Sequence, residues 1–143
     1  MQLRMTIDEL AEFIDREFPQ VADQFAIDRL APMEIDLRLK VDHRHLRPGG
    51  TVSGPSMFTL ADCAIYLAIL GMIGPRALAV TTNASFDFMR KPAANTDLVA
   101  KTRLLKLGRS LAVGDALLYS VGQEAPVARA SMTYAIPPEK SAE

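Results

Sequence analysis

Only one cysteine, Cys63, occurs in the whole chain, so no internal disulfide can form, and a reducing compartment, the cytoplasm, is expected. Neither sign of charge is in excess: 16 basic and 17 acidic side chains leave a net charge of -1. The electrostatic footprint of a nucleic-acid or anionic-membrane binder is therefore missing. The opening residues, MQLRMTIDEL, hold no apolar signal core. Repeats and low-complexity tracts are lacking. The two histidines, His43 and His45, sit among Asp42 and arginines rather than in a spaced ligand set, so no metal is expected. What remains is 143 residues, 49% apolar and 23% charged, the makeup of one globular domain. The expected division is an N-terminal helix and connector over residues 1–31, a core over 32–137 and a tail over 138–143 whose end, KSAE, is expected to be disordered.

Residues 57–73 are almost wholly apolar and need testing as a membrane span. As a helix, these 17 residues would reach ~26 Å, short of the ~30 Å hydrocarbon core. They also include Asp62, which is costly in lipid. Gly54-Pro55 and Gly74-Pro75 bracket them with turn signals. A helix buried in protein is the reading that follows.

Residues 6–18 predict an amphipathic helix, with Thr6 and Glu9 as a capping box, Ile7, Leu10, Phe13 and Ile14 as one stripe, and Pro19 after its end. Residues 20–31 read as an irregular connector or a short second helix. From Met33 to Val41 apolar and charged residues alternate, the pattern of a half-exposed strand. A polar loop, DHRHLRPGGTVSGP, leads into the buried helix. Four strand-like segments follow, over residues 77–90, 97–107, 110–121 and 127–136. Short links between consecutive strands imply an antiparallel sheet. A helix apolar on all sides needs a surface around it, and a curved sheet supplies one. The exposed edges of such a sheet suggest pairing with a second copy.

Two features carry chemistry. Asp62 is the only charged residue between Arg47 and Arg76, in the middle of the apolar helix. An isolated carboxylate there must find donors, face a cleft or stay protonated; it is either a structural hydrogen-bonding group or a reactive one. The helix start, Ser53-Gly54-Pro55-Ser56, presents unpaired backbone N–H groups that can polarise a carbonyl oxygen, or else is an ordinary capped helix start with Ser53 as cap. Gly54 and Asp62 are eight residues apart, ~12 Å along a helix. One carbonyl group cannot touch both in one subunit, so a shared site would cross a dimer interface. Cys63 has no histidine beside it and reads as packing.

The stretch GGTVSGPSMFTLADCAIYLAI resembles the hotdog-fold thioesterases, specifically the PaaI-like acyl-CoA thioesterase group. Leu60-Ala61-Asp62 matches that group's Leu-x-Asp at the right spacing from Gly54. VTTNASFDFMRKP, LLKLGRSLAVGDALLYS and VARASMTYAI are similar to its later strands, so the likeness covers about residues 33–136. The resemblance implies an α+β hotdog fold, a curved antiparallel sheet around one long buried helix. It implies acyl-CoA hydrolysis, with Asp62 as nucleophile or general base and the Gly54 N–H of a second subunit polarising the carbonyl. Thr81 is the nearest match to a hydroxyl that places water, with Asn83 close by. No cofactor is implied beyond coenzyme A as part of the substrate, and the assembly implied is a homodimer, or a dimer of dimers. Where the family has His, a second Gly and Asn, this chain has Ser53, Pro55 and Arg47. Arg47 could instead meet an anionic substrate group. Arg90, Lys91, Lys106 and Arg109, at strand ends or turns, are the candidates for coenzyme A phosphates. A non-catalytic acyl-binding hotdog protein and a hotdog dehydratase are the alternatives; the dehydratase is disfavoured because no histidine follows His45 in the loop and helix.

Overall fold

The computed structural model describes residues 2–138. The expectation of a disordered KSAE tail falls outside the described residues. Helix α1 spans Ile7–Glu17. Its capping box is formed as the sequence predicts: the Thr6 hydroxyl accepts from the Glu9 N–H at 3.1 Å, and the Glu9 carboxylate accepts from the Thr6 N–H at 3.0 Å. Leu10, Phe13 and Ile14 are buried, whereas Ile7, at the outer end of the stripe, is exposed.

Residues 20–31 are not a connector or a second helix. A short 3-10 turn over Ala22–Gln24 leads straight into a strand, β1, over Phe25–Ala31. It pairs antiparallel with β2, Glu34–Leu39, the alternating segment of the sequence. The alternation in β1 is broken by a bulge between Ile27 and Arg29, so Phe25 and Ile27 lie opposite Leu39 and Leu37, but Leu30 opposite Ile35. One extra residue switches the inward parity from odd to even numbers, which hides the strand from a period-2 reading.

The long helix, α2, runs over Gly54–Ile73, three residues longer at its start than the apolar run itself. Ser53 is its cap, Gly54 its first residue and Pro55 its second, where a missing N–H costs no helical hydrogen bond. Gly74 ends it at φ 90°, a left-handed conformation that glycine adopts without a steric cost. At 20 residues it measures ~30 Å, so length alone does not exclude a membrane span. Burial does: Leu60, Ile65, Leu67, Ile69 and Leu70 are fully enclosed, each contributing about 2 kcal/mol of apolar burial.

The enclosing wall is one six-stranded antiparallel sheet. Its remaining strands are β3 (Val80–Phe88), β4 (Leu98–Leu107), β5 (Leu111–Ser120) and β6 (Ala128–Ala135), in the spatial order β1-β2-β4-β5-β6-β3. Alternate residues of β4, β5 and β6 point onto α2, among them Leu98, Ala100, Leu118, Ala130 and Met132. Helix and sheet come close together at Gly114 of β5. A Cβ there would meet Ile65 Cγ2 and Leu104 Cδ2 at 3.1 Å, so a side chain would push helix and sheet apart. β3 is bonded to β6 alone and forms one edge of the sheet.

Candidate active site

Asp62 lies on the only sector of the middle of α2 that is not fully buried, beside Cys63. Its partners come from the two strands facing that sector. Thr81 of β3 donates its hydroxyl to Asp62 Oδ1 at 2.6 Å. The Tyr134 hydroxyl of β6 donates in a short hydrogen bond to the same oxygen and lies 2.9 Å from the Asp62 carbonyl oxygen. Thr81 reaches inward because β3 carries a bulge between Thr81 and Asn83. Ala84, though exposed, shares the face of its partner Met132, and regular alternation from there would put Thr82 on that face. The extra residue puts Thr81 there instead, opposite Tyr134. Thr82 turns its hydroxyl to the Thr133 carbonyl at 3.3 Å. Asn83 is exposed and pairs with Thr133, one step out of phase with Tyr134, so it does not join Asp62.

Both hydroxyls bond Oδ1, and among the described residues Oδ2 accepts nothing. No side-chain oxygen among them is both fully buried and unpartnered, so Oδ2 is accessible, and Asp62 lines a cavity of about 200 Å3. Burial, with the Asp62 charge next, pushes the Tyr134 phenol far above its ordinary range, so it remains a neutral donor. Burial likewise pushes the Cys63 thiol up to about 12, again with Asp62 adding to the effect. A protonated thiol is a poor nucleophile, in keeping with the packing role read for Cys63. Tyr134 was missed at the level of sequence. The available signal was its inward phase beside Ala130 and Met132: a phenol on a buried face needs a polar partner.

The start of α2 opens into a second cavity, of about 400 Å3, which brings together Arg47, Gly54, Phe88, Arg90 and Lys91. Gly54 is the first helical residue, so its N–H has no partner within the helix. A Cβ at Gly54 would lie 3.3 Å from Phe88 Cζ, so the missing side chain lets that ring sit against the helix start. Ser53 is occupied as the cap: its hydroxyl accepts from the Ser56 N–H at 3.3 Å and donates to the Ser56 hydroxyl at 3.0 Å. Arg47 stands on a tight loop closed by the Leu46–Val52 bridge, with Gly49 and Gly50 at φ 103° and 85° making the turn. Arg90 donates to the Pro126 carbonyl at 2.7 Å, and Lys91 is exposed. Arg109 lies in the exposed turn between β4 and β5 and lines neither cavity. Lys106 is exposed on β4. Among the described residues no His/Cys/Asp/Glu group is arranged to hold a metal.

The loop before α2 is tied down by His45, which is 4% exposed. Its Nδ1 accepts from the Asp42 N–H at 2.9 Å, and its Nε2 faces Gln24 Oε1 at 2.8 Å, which assigns the ring proton to Nε2. The His45 carbonyl accepts from the Ser53 N–H at 2.8 Å, next to the cap. Burial lowers the pKa of His45 below 6.5; Asp42 and Asp23 pull the other way, Arg44 and His43 with it, and burial prevails. The unfolded chain therefore takes up this proton at a higher pH than the folded one. The His45 contribution to stability is complete above about pH 6.5 and is lost as pH falls from there through the depressed folded value. Melting temperature should drop on acidification from pH 7 to 5, and His45→Gln should flatten that slope. A slope unchanged in the variant would put its origin elsewhere.

Residues 49–127 match the family model of the thioesterase superfamily. A protein of Pseudomonas aeruginosa named as a candidate esterase is 32% identical over 107 residues, covering 75% of this chain and 78% of that one. A crystal structure from Silicibacter sp. TM1040, named as a candidate thioesterase, is 60% identical, covers 96% of each chain and superposes with a TM-score of 0.91. A mutant of the phenylacetic acid degradation protein PaaI from Thermus thermophilus is 28% identical over 83% of this chain and 99% of its own, with a TM-score of 0.71. With the sheet wrapped around α2, these likenesses agree with the resemblance read from the residues: the chain belongs to the thioesterase superfamily as a PaaI-like hotdog domain, a thioester hydrolase.

Proposed function

We propose that this protein hydrolyses an acyl-CoA thioester in the cytoplasm, at a site shared by two copies of the chain, with no cofactor beyond the coenzyme A of the substrate. The observation that carries the reading is Asp62: one carboxylate oxygen is fixed by two hydroxyl donors, the other is left accessible, and the residue lines a largely apolar cavity. Asp62 Oδ2 either attacks the thioester carbon or takes a proton from the water that does. The carbon–sulfur bond then breaks and the sulfur leaves as the thiolate of coenzyme A, which takes up a proton. On the general-base route the attacking water has already made the free acid; on the nucleophilic route a water must next hydrolyse the acyl–Asp62 anhydride to release the acid and restore the carboxylate. Negative charge builds on the carbonyl oxygen, where a backbone N–H is needed. Gly54 of the partner subunit supplies it, because the protomer's own Gly54 lies ~12 Å away along α2 in a separate cavity. Arg47, Arg90 and Lys91 beside that N–H give the phosphates of coenzyme A a cationic seat. Arg109 is left as a contact for a more distant part of the coenzyme or for a neighbouring subunit.

The second copy is assigned to the β3 edge. There Val80 and Phe88 are 55% and 56% exposed, and Phe58 of α2 packs against Phe86 with ring centroids 5.9 Å apart while staying 37% exposed. An open strand edge flanked by aromatic side chains is a surface that a second, identical edge can cover. Two such dimers pairing would give the tetramer that the family resemblance implies. The test joins two measurements. Free-thiol release across a panel of acyl-CoAs should find a substrate, and light scattering should find at least a dimer. Phe58→Asp lies on a surface that the lone protomer leaves open, so the fold should tolerate it. It should raise the dimer dissociation constant roughly 30-fold or more, about 2 kcal/mol, and reduce activity in step. A monomeric parent, or a variant dimer as tight as the parent, would refute the assigned face.

A further inference from the structure

The cavity beside Asp62 is apolar once its reactive corner is left behind: Phe18, Cys63, Tyr66, Ala79 and Val80 form its remaining wall. A chain of ring contacts leads away from the carboxylate. Tyr134 bonds Asp62, Tyr66 stacks on Tyr134 at 6.1 Å, and Phe18 meets Tyr66 edge-on at 5.8 Å. Tyr66 is fixed by its hydroxyl, which donates to the Ala77 carbonyl at 3.1 Å. Phe18 is the outermost ring and comes from a different layer. It is the residue that ends α1, anchored by its N–H on the Ile14 carbonyl at 2.7 Å, and it belongs to neither the sheet nor α2.

We infer that this cavity seats the acyl tail and that Phe18 is its end wall, the residue that sets acyl length. The inference rests on Asp62 being the reactive group. A cavity of about 200 Å3 holds on the order of seven water-sized groups, so the tail it fits is apolar and roughly six to eight carbons long. Each methylene seated against this wall should raise kcat/KM about fourfold, until the tail reaches Phe18. Beyond that length the gain stops, because the ring leaves no room.

The experiment measures kcat/KM for straight-chain acyl-CoAs from four to fourteen carbons with the parent, Phe18→Ala and Phe18→Trp. The Ala variant should move the optimum up by two to four carbons and raise the ratio of dodecanoyl to hexanoyl turnover at least ~10-fold. The Trp variant keeps a ring to pack on Tyr66 and should shorten the optimum. It tests the wall independently if Ala loosens α1. Folded variants that both keep the parent profile would overturn the role of Phe18 while leaving Asp62 in place. A parent that hydrolyses no member of the series would overturn the thioesterase reading and this assignment with it.

Discussion

Asp62→Asn should lower turnover of the best acyl-CoA by at least ~100-fold, the usual scale for losing a positioned base, and leave the fold intact. The structure explains why this replacement is gentle. The Asn carbonyl oxygen can take the place of Oδ1 and accept from Thr81 and Tyr134 as the carboxylate does. The amide nitrogen then occupies the accessible Oδ2 position. It has neither the charge to attack carbon nor the basicity to take a proton from water. Substrate affinity should change little, because the seats proposed for the tail and the coenzyme are made by other groups. Asp62→Ala separates chemistry from architecture: it removes the acceptor of the half-buried Thr81 hydroxyl and leaves the buried Tyr134 hydroxyl only the backbone carbonyl of residue 62, so it should also lower the melting temperature. Near-parent turnover by a folded Asn variant would exclude Asp62 as nucleophile and as base.

Gly54→Pro should be as damaging, by ~100- to 1000-fold, the range for removing one donor to a developing oxyanion. The substitution deletes one N–H at the helix position where proline fits best, after a Ser53 whose extended φ and ψ of -73° and 155° suit a following proline. Its ring must also displace Phe88, which already lies 3.3 Å from the place of a Cβ. The stronger test combines the two damaged chains. If Asp62 and Gly54 act across the interface, a mixed dimer of Asp62→Asn with Gly54→Pro keeps one complete site, with both lesions falling in the other. Equal co-expression makes about half the dimers mixed and should restore about a quarter of the parent rate. That is at least ~25-fold above either variant alone. A mixture no better than its components would confine both residues to one protomer.

The sequence reading reached the parts of the fold whose causes are local. The α1 capping box is written within four residues, the alternation of β2 within six, and the apolar run of α2 with a lone charge in its middle reads as a buried helix. It lost β1 because one extra residue near Asp28 changes which parity faces inward, and a bulge is settled by strand pairing rather than by the strand's own side chains. The same physics governs the site. Asp62 stood out as a lone charge in an apolar helix, and Gly54 as a bare helix start. Thr81 matched through family resemblance, whereas plain alternation in β3 favours Thr82. Tyr134 is 72 residues from its partner, and no local pattern joins them. Arg47, Arg90 and Lys91 could be suspected singly, but their convergence on Gly54 is a product of the folded chain.

The edge position of β3 has a consequence for the order in which the molecule is made. Among the described residues the strand carrying Thr81 bonds to β6 and to no other strand, and β6 follows the other five strands along the chain. While the chain is still emerging, α2 and β3 are complete, yet β3 has no place in a sheet and Asp62 has no Tyr134. Residues 128–135 therefore act as a latch: their arrival gives β3 its partner strand and supplies the phenol to the carboxylate. A polypeptide that stops before them has every candidate catalytic group named from the sequence and no assembled site.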